Sequence, residues 1–325
     1  MDRNRAIAFV IALPAFCAAF VAAQSPPSLT AARWLPDTRR FPALVREPDE
    51  CLAIAADTAT ARSVAIGRAA FRTPLLLGGQ AARTGLSCDS CHRNGRDNPD
   101  FFIAGVSDAP GTADVTTSLM SSHRGDGAFN PRVIPDLSVG SAQHKVARDD
   151  GRALETFIRG LIVEEFDGPE PSAATLDGLA AYVRHLRPSA CVGGERTIRL
   201  STHLDDARSA LDAARYALET NDADTARLMV AGARTALQSI DERYPGPEFE
   251  RHRAALRVAA QELGAIQNAI LREAPDLELR MAAWVAAMRS WSEPLAKDES
   301  KSLYAAERLL RSLTQGPSDA AANEH

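Results

Sequence analysis

Apolar residues along this chain recur mostly at helical spacing, and strict alternation is rare. From Thr202 to Leu313, Leu204, Ala207, Leu211, Ala214 and Leu218 fall at steps of three and four, as do Ala223, Ala226, Val230, Ala233, Leu237 and Ile240. Asn221-Asp222 separates these two runs and supplies a cap for the second. Tyr244-Pro245-Gly246-Pro247 ends it, a third run spans Glu248 to Ala274, and Pro275 opens a fourth that carries Met281, Trp284, Val285 and Met288. Pro294 is expected to start a final helix reaching Leu313. Antiparallel helices with short connections predict a bundle over residues 201–315. Trp284 and Trp291, seven apart, mark a core seam in it. Residues 316–325 read as a disordered tail. Upstream, Ala61 to Phe71 and Thr175 to Leu186 are two further helical runs, the second with Leu176, Leu179, Tyr182, Val183 and Leu186 on one face.

The N-terminus has a different pattern. Two arginines precede an apolar run from Ala6 to Val21, with small residues at Ala22 and Ala23. This is the form of a secretory signal peptide over residues 1–23, cleaved after Ala23. The run is shorter than the roughly 20 residues a spanning helix needs, and Pro14 breaks it. Residues 24–50, rich in Pro and Arg, read as an extended segment that serves as a spacer or wraps the neighbouring domain. Export predicts a periplasmic, oxidising location. The formal charge is −5, and loss of Arg3, Arg5 and Asp2 with the leader makes the chain one unit more acidic. A mildly acidic chain is a poor nucleic-acid binder, since phosphate contacts need clustered Lys and Arg.

Cys17 is discarded with the leader, which leaves Cys51, Cys88, Cys91 and Cys191. Cys88-Asp89-Ser90-Cys91-His92 matches the C-x-x-C-H pattern of covalent haem c attachment. Two intervening residues let a tight turn present both sulfurs to the two vinyl groups of a porphyrin, and His92 comes next as the iron ligand. Zinc would need two more ligands at local spacing, and a thioredoxin-like dithiol would need a strand before the motif and a helix after it. Thr84-Gly85 and Arg93-Asn94-Gly95 read instead as loop on both sides. With Cys88 and Cys91 committed to one site, Cys51 and Cys191 remain as a candidate disulfide, the alternative being two buried free thiols. A bridge closing so long a loop has a chain-entropy ceiling of about 5 kcal/mol.

Between Cys51 and Pro188 the chain resembles the bacterial periplasmic c-type cytochromes, and within them the haem domains of di-haem cytochrome c peroxidases. The likeness rests on Gly67-Arg68-Ala69-Ala70-Phe71, Thr84-Gly85-Leu86-Ser87, the haem motif and Ala180-Ala181-Tyr182-Val183-Arg184-His185-Leu186. It implies an all-α fold with a cytochrome c-like haem domain over 51–191, followed by the antiparallel bundle. It also implies that the first and last helices cross closely, Gly67 admitting Tyr182. The peroxidases carry two haems, whereas no second C-x-x-C-H occurs here.

A sixth ligand decides between electron transfer and chemistry at iron. Met120, in a polar loop ended by glycines, is the expected distal ligand; His123, His144 and an open position are the alternatives. Arg124 is placed to pair with a propionate, or else is solvated. The whole then reads as a periplasmic mono-haem electron carrier between redox partner proteins, the bundle setting partner choice. The alternatives are a peroxidase-like enzyme with an open distal site and a haem-based sensor or assembly subunit.

Overall fold

The computed structural model describes residues 29–117, 119–139 and 144–314. The expected signal peptide, the first residues of the segment after it and the C-terminal tail lie outside them. The protein is mostly helical, with four very short strands among the described residues.

Helix α1 (Asp37–Val45) and strand β1 (Arg46–Pro48) open the chain after a 3-10 turn at Thr30–Trp34. Residues 30–34 and 37–45 are therefore helical rather than extended. Pro36 ends one turn and caps the next, and Ala43 and Leu44 bury one face of α1. Strand β1 pairs antiparallel with β4 (Glu195–Thr197). Beside that pair, Cys51 and Cys191 form a disulfide across 140 residues of sequence. The ladder and the bridge together tie off the segment that holds the C-x-x-C-H motif.

Inside that segment, α2 (Thr58–Phe71) starts where the Asp57 side chain accepts from the Thr60 N–H, and α6 (Ala173–His185) starts where Ser172 caps Thr175. The two cross at glycine. A Cβ on Gly67 would lie 1.9 Å from the Gly178 carbonyl oxygen, so the backbones themselves are in contact. This corrects the expected pairing of Gly67 with Tyr182. Glycine meets glycine, and the Tyr182 ring packs one turn on against Phe71, with ring centroids 5.1 Å apart. Between these helices lie α3 (Gly79–Thr84), α4 (Cys88–Cys91), strands β2 (Thr112–Ala113) and β3 (Arg132–Val133), and α5 (Ala153–Gly160), which runs on into a π-turn at Leu161–Glu165.

The bundle consists of α7 (Leu200–Glu219), α8 (Ala223–Arg243), α9 (Glu250–Leu271), α10 (Leu277–Lys297) and α11 (Ala306–Thr314). Asp222 caps α8 through the Thr225 N–H. Trp284 and Trp291 meet at 5.9 Å between ring centroids in the buried seam of α10. Pro294 does not start a helix; it lies inside the last turns of α10. Proline costs one backbone bond there, and the fully buried Leu295 next to it holds that turn in place. The Asp298 N–H then closes the helix on the carbonyls of Pro294 and Leu295.

The two halves share one core. Helix α2 packs on α6 and also on α7 and α8. A Cβ on Gly232 of α8 would come within 2.5 Å of the Thr73 hydroxyl at the end of α2, and Thr225 of α8 hydrogen-bonds Ser172 and Thr175 of α6 at 2.6 and 2.8 Å. The apolar cluster runs unbroken from Phe71 and Leu86 to Trp284 and Tyr304.

Candidate functional site around Cys88, Cys91 and His92

The thiol motif is a folded hairpin. Helix α3 stops at Gly85, whose φ of +83° is left-handed and whose N–H returns to the Ala81 and Ala82 carbonyls. Ser87 then caps the single turn α4. Its side chain accepts from the backbone of Ser90, whose hydroxyl accepts from the Ser87 N–H at 3.1 Å. Cys88 and Cys91, three residues apart on this turn, face the same way and pack half-buried against the core. The return is made by Asn94 and Gly95, both at positive φ. Asp89 accepts the Asn94 N–H at 2.9 Å, which closes the hairpin. Leu186 of α6 lies so near Gly95 that a Cβ there would sit 2.3 Å from it, so both the turn and the packing demand glycine.

His92 comes directly after Cys91. Its Nδ1 lies 3.0 Å from the Pro135 carbonyl oxygen. A carbonyl can only accept, so the proton is on Nδ1 and the lone pair of the neutral ring is on Nε2. Burial holds the imidazole neutral, drawing its pKa down from 6.5 to about 4 against the opposing pull of the Pro135 bond. Among the described residues nothing hydrogen-bonds Nε2. A neutral imidazole with a fixed tautomer and a free Nε2 is a ligand oriented from behind.

The two thiols are free and neutral. Burial and the neighbouring Asp89 push Cys88 up to about 12, and burial raises Cys91 likewise. Reactive dithiols and metal thiolates depend on the opposite shift. Among the described residues, no group of three or more His, Cys, Asp or Glu converges to hold a metal ion. The hairpin thus supplies two like-facing neutral thiols and one imidazole, at the border of an apolar core.

Behind the hairpin lies a charged network. The Glu50 carboxylate accepts from Arg68 Nε at 2.8 Å, Arg72 Nη2 at 2.9 Å and the Tyr182 hydroxyl at 2.7 Å. Burial alone would raise its pKa, but Arg72, Arg68 and Tyr182 outweigh that and hold it down to about 2. Arg72 also donates to Asn94 Oδ1 at 2.6 Å, and Arg68 reaches Asp206 of α7 at 2.9 Å. The network connects the motif's return loop to the bundle. Glu50, Arg72 and Asn94 had no distinguishing signal in the sequence beyond nearness to the motif.

The residues expected on the distal side have distinct surroundings. Met120 is buried, and its sulfur has no hydrogen-bond donor among the described residues. His123 is two-thirds exposed and bonded through Nδ1 to Asp167 at 2.8 Å. His144 bonds through Nε2 to the Asp136 carbonyl at 3.1 Å, beside the Pro135 carbonyl that holds His92. Arg124 is half-exposed to solvent and ion-paired. Glu164 and Glu165 take its guanidinium at 2.6 and 3.1 Å.

The site and fold define a mostly helical protein built around a C-x-x-C-H hairpin. Compared with family models, with curated proteins and with solved structures, the chain finds no match.

Proposed function

We propose that this chain is an exported mono-haem c-type cytochrome that carries one electron between redox partners in the periplasm. The observation that carries the reading is the state of His92, whose Nδ1 is committed to Pro135 while Nε2 is left unbonded one residue after two free, like-facing thiols. That donor set fits a haem. Cys88 and Cys91 would form its thioethers and His92 would be the iron ligand from one side. When bound, the haem supplies a one-electron ferric/ferrous couple.

The chain's own residues do the rest. The Pro135 carbonyl keeps the imidazole in one tautomer and raises its basicity. Phe71, with its ring centroid 6.5 Å from that of His92, Leu86 and the core behind them exclude water from the imidazole. A drier environment favours the less charged state of the group and so sets the potential. Met120 is the best supported second ligand. It is buried with a free thioether, whereas His123 faces solvent and His144 is tied to the segment behind His92. Arg124, satisfied by two carboxylates, is better read as a clasp between its loop and the π-turn than as a propionate partner.

The test is expression in a host competent in cytochrome maturation. The expected product is red, heavier than the bare processed polypeptide by one haem, with a near-infrared charge-transfer band that Met120→Ala abolishes. Cys88→Ala with Cys91→Ala should leave no covalent haem. A colourless protein with the mass of the processed polypeptide alone refutes the proposal. A high-spin ferric spectrum, unchanged in Met120→Ala, keeps the haem but removes Met120 and turns the reading toward chemistry at an open iron.

A further inference from the structure

The disulfide between Cys51 and Cys191 has two unlike ends. Cys51 is fully buried, at 0% exposure, whereas Cys191 is partly exposed and its neighbour Val192 is 98% exposed. Every residue from Val192 to Thr197 is exposed. A reagent in solution therefore meets the bond from the Cys191 side.

At the buried end stands a cation. Arg96 gives Nε to Asp136 at 2.6 Å and turns Nη1 towards the sulfurs, 3.2 Å from Cys51 and 3.7 Å from Cys191. A closed disulfide carries no charge for a guanidinium to balance. The position matters once the bond opens, because a neighbouring arginine stabilises the thiolate that a sulfur then becomes. Exchange runs faster the more stable the departing thiolate, and it begins at the sulfur that can be approached. Exposure and charge select one direction, with attack at Cys191 and departure of Cys51.

The backbone on both sides of the bond is held independently of it. The Arg187 N–H donates to the Cys51 carbonyl and the Ala53 N–H to the His185 carbonyl, each at 2.8 Å. On the other side β1 pairs with β4. With the sulfurs apart the two segments stay side by side, so opening is a local change.

We infer that the pair Cys51 and Cys191 is a thiol-exchange site, opened in the folded protein by a dithiol reductant. One thiolate of the reductant bonds to Cys191 Sγ, the S–S bond breaks, and its electron pair leaves on Cys51 Sγ beside Arg96. The second thiolate of the reductant then attacks the reductant's own sulfur in the mixed disulfide, and Cys191 departs as a thiolate. Two electrons pass to the chain and the reductant becomes a disulfide, its two protons going to the cysteines or to solvent. This inference stands apart from the haem proposal, because none of its groups is Cys88, Cys91 or His92.

The experiment exposes the full purified chain to reductant under native conditions and reads the cysteines one by one, by alkylation and peptide mass mapping. That readout separates Cys51 and Cys191 from Cys88 and Cys91, whatever the latter carry. With dithiothreitol the opening rate should rise in proportion to the reductant concentration. With glutathione, a single thiol, the trapped intermediate should carry glutathione on Cys191 and a free thiol on Cys51. Arg96→Gln should slow opening at least tenfold, and Arg96→Lys, which keeps the charge, should recover most of the rate. An opening rate independent of dithiothreitol, set by unfolding, overturns the inference. Glutathione on Cys51 overturns it too, as does an Arg96→Gln protein opened as fast as the wild type or faster. The first two results are read on the wild type, so they decide the matter even where Arg96→Gln fails to fold.

Discussion

Replacing Glu50 by Gln tests the network behind the hairpin. The substitution keeps the shape and one acceptor but removes the charge that faces Arg68 and Arg72. The depression of the Glu50 pKa from 4.5 to about 2 corresponds to about 3 kcal/mol of native-state stabilisation of the ionised form. Removing the carboxylate also leaves two part-buried guanidiniums sharing Asp206, which is 2.9 Å from Arg68 but 4.0 Å from Arg72. Breaking such a pair from one side costs about 3–5 kcal/mol in total. The sign of the pH dependence is set by the direction of the shift. A carboxyl with a depressed native pKa stabilises fully above its unfolded value of 4.5, and that contribution is lost as pH falls towards 2. The gap between wild type and Glu50→Gln should therefore be flat from about pH 8 to about 5.5. Below about pH 4.5 it should close by about 1.4 kcal/mol per unit. Urea unfolding followed by circular dichroism from about pH 8 to about 3.5 measures it. A gap under about 1 kcal/mol at neutral pH, or one that stays constant down to about pH 3.5, would refute the argument. The visible spectrum of the proposed haem protein should not change, because Glu50 hydrogen-bonds none of Cys88, Cys91 and His92.

Gly67→Ala drives a methyl group into the Gly178 carbonyl, while the same change at Gly178 meets its nearest atoms at 2.9–3.0 Å. The first should cost about 3 kcal/mol or more and the second about 1–2, the gain in helix propensity offsetting part of each; thermal melts giving equal losses would show that the crossing is looser than described. Serine at both Cys51 and Cys191 should lower stability by up to about 5 kcal/mol, and a reductant should then destabilise the wild type but leave the double variant unmoved. His203→Gln keeps a partner for Tyr304 but cannot take up a proton. Because the histidine pKa is depressed, wild type loses stability as pH falls from 6.5 through about 4, and the variant should show a shallower decline of Tm over that window. Parallel curves would mean that His203 is not held neutral.

How much of the fold was legible in the sequence depends on what periodicity encodes. Apolar spacing gives the buried face of a helix, and α2, α6, α7, α8 and α9 all appear within a few residues of where that spacing places them. Periodicity does not say which partner a face meets. Gly67 invites a close approach, but only the three-dimensional crossing shows that Gly178 takes the place and sends Tyr182 on to Phe71 and Glu50. Proline is similarly ambiguous. Pro36 and Pro275 lie at helix starts, whereas Pro294 sits inside α10 because the burial of Trp291 and Leu295 outweighs one missing bond. At the site, C-x-x-C-H was readable because its spacing is a local property. The Pro135 carbonyl lies 43 residues away, and the carboxylates that engage Arg124 lie 40 and 41 away, so no local pattern could announce them.

The shared core changes what the bundle is for. A module that only selected partners would need its own core and a thin connection to the segment that carries the C-x-x-C-H motif. Here α2 is the common wall. One face carries Gly67 into α6, Arg68 reaches Asp206 on α7, and Thr73 sits against Gly232 on α8. The Arg72 guanidinium on the same helix holds both Glu50 and the return loop of the hairpin. Displacing α7 would take Asp206 away from Arg68 and leave Glu50 as its remaining carboxylate, and the change would reach Asn94 through Arg72. The bundle therefore acts first as the rigid backing of the thiol hairpin, keeping a half-buried turn of two cysteines and a histidine in one geometry. The function proposed for the hairpin would draw on that rigidity, because a site held by packed and hydrogen-bonded supports keeps its geometry when its charge changes.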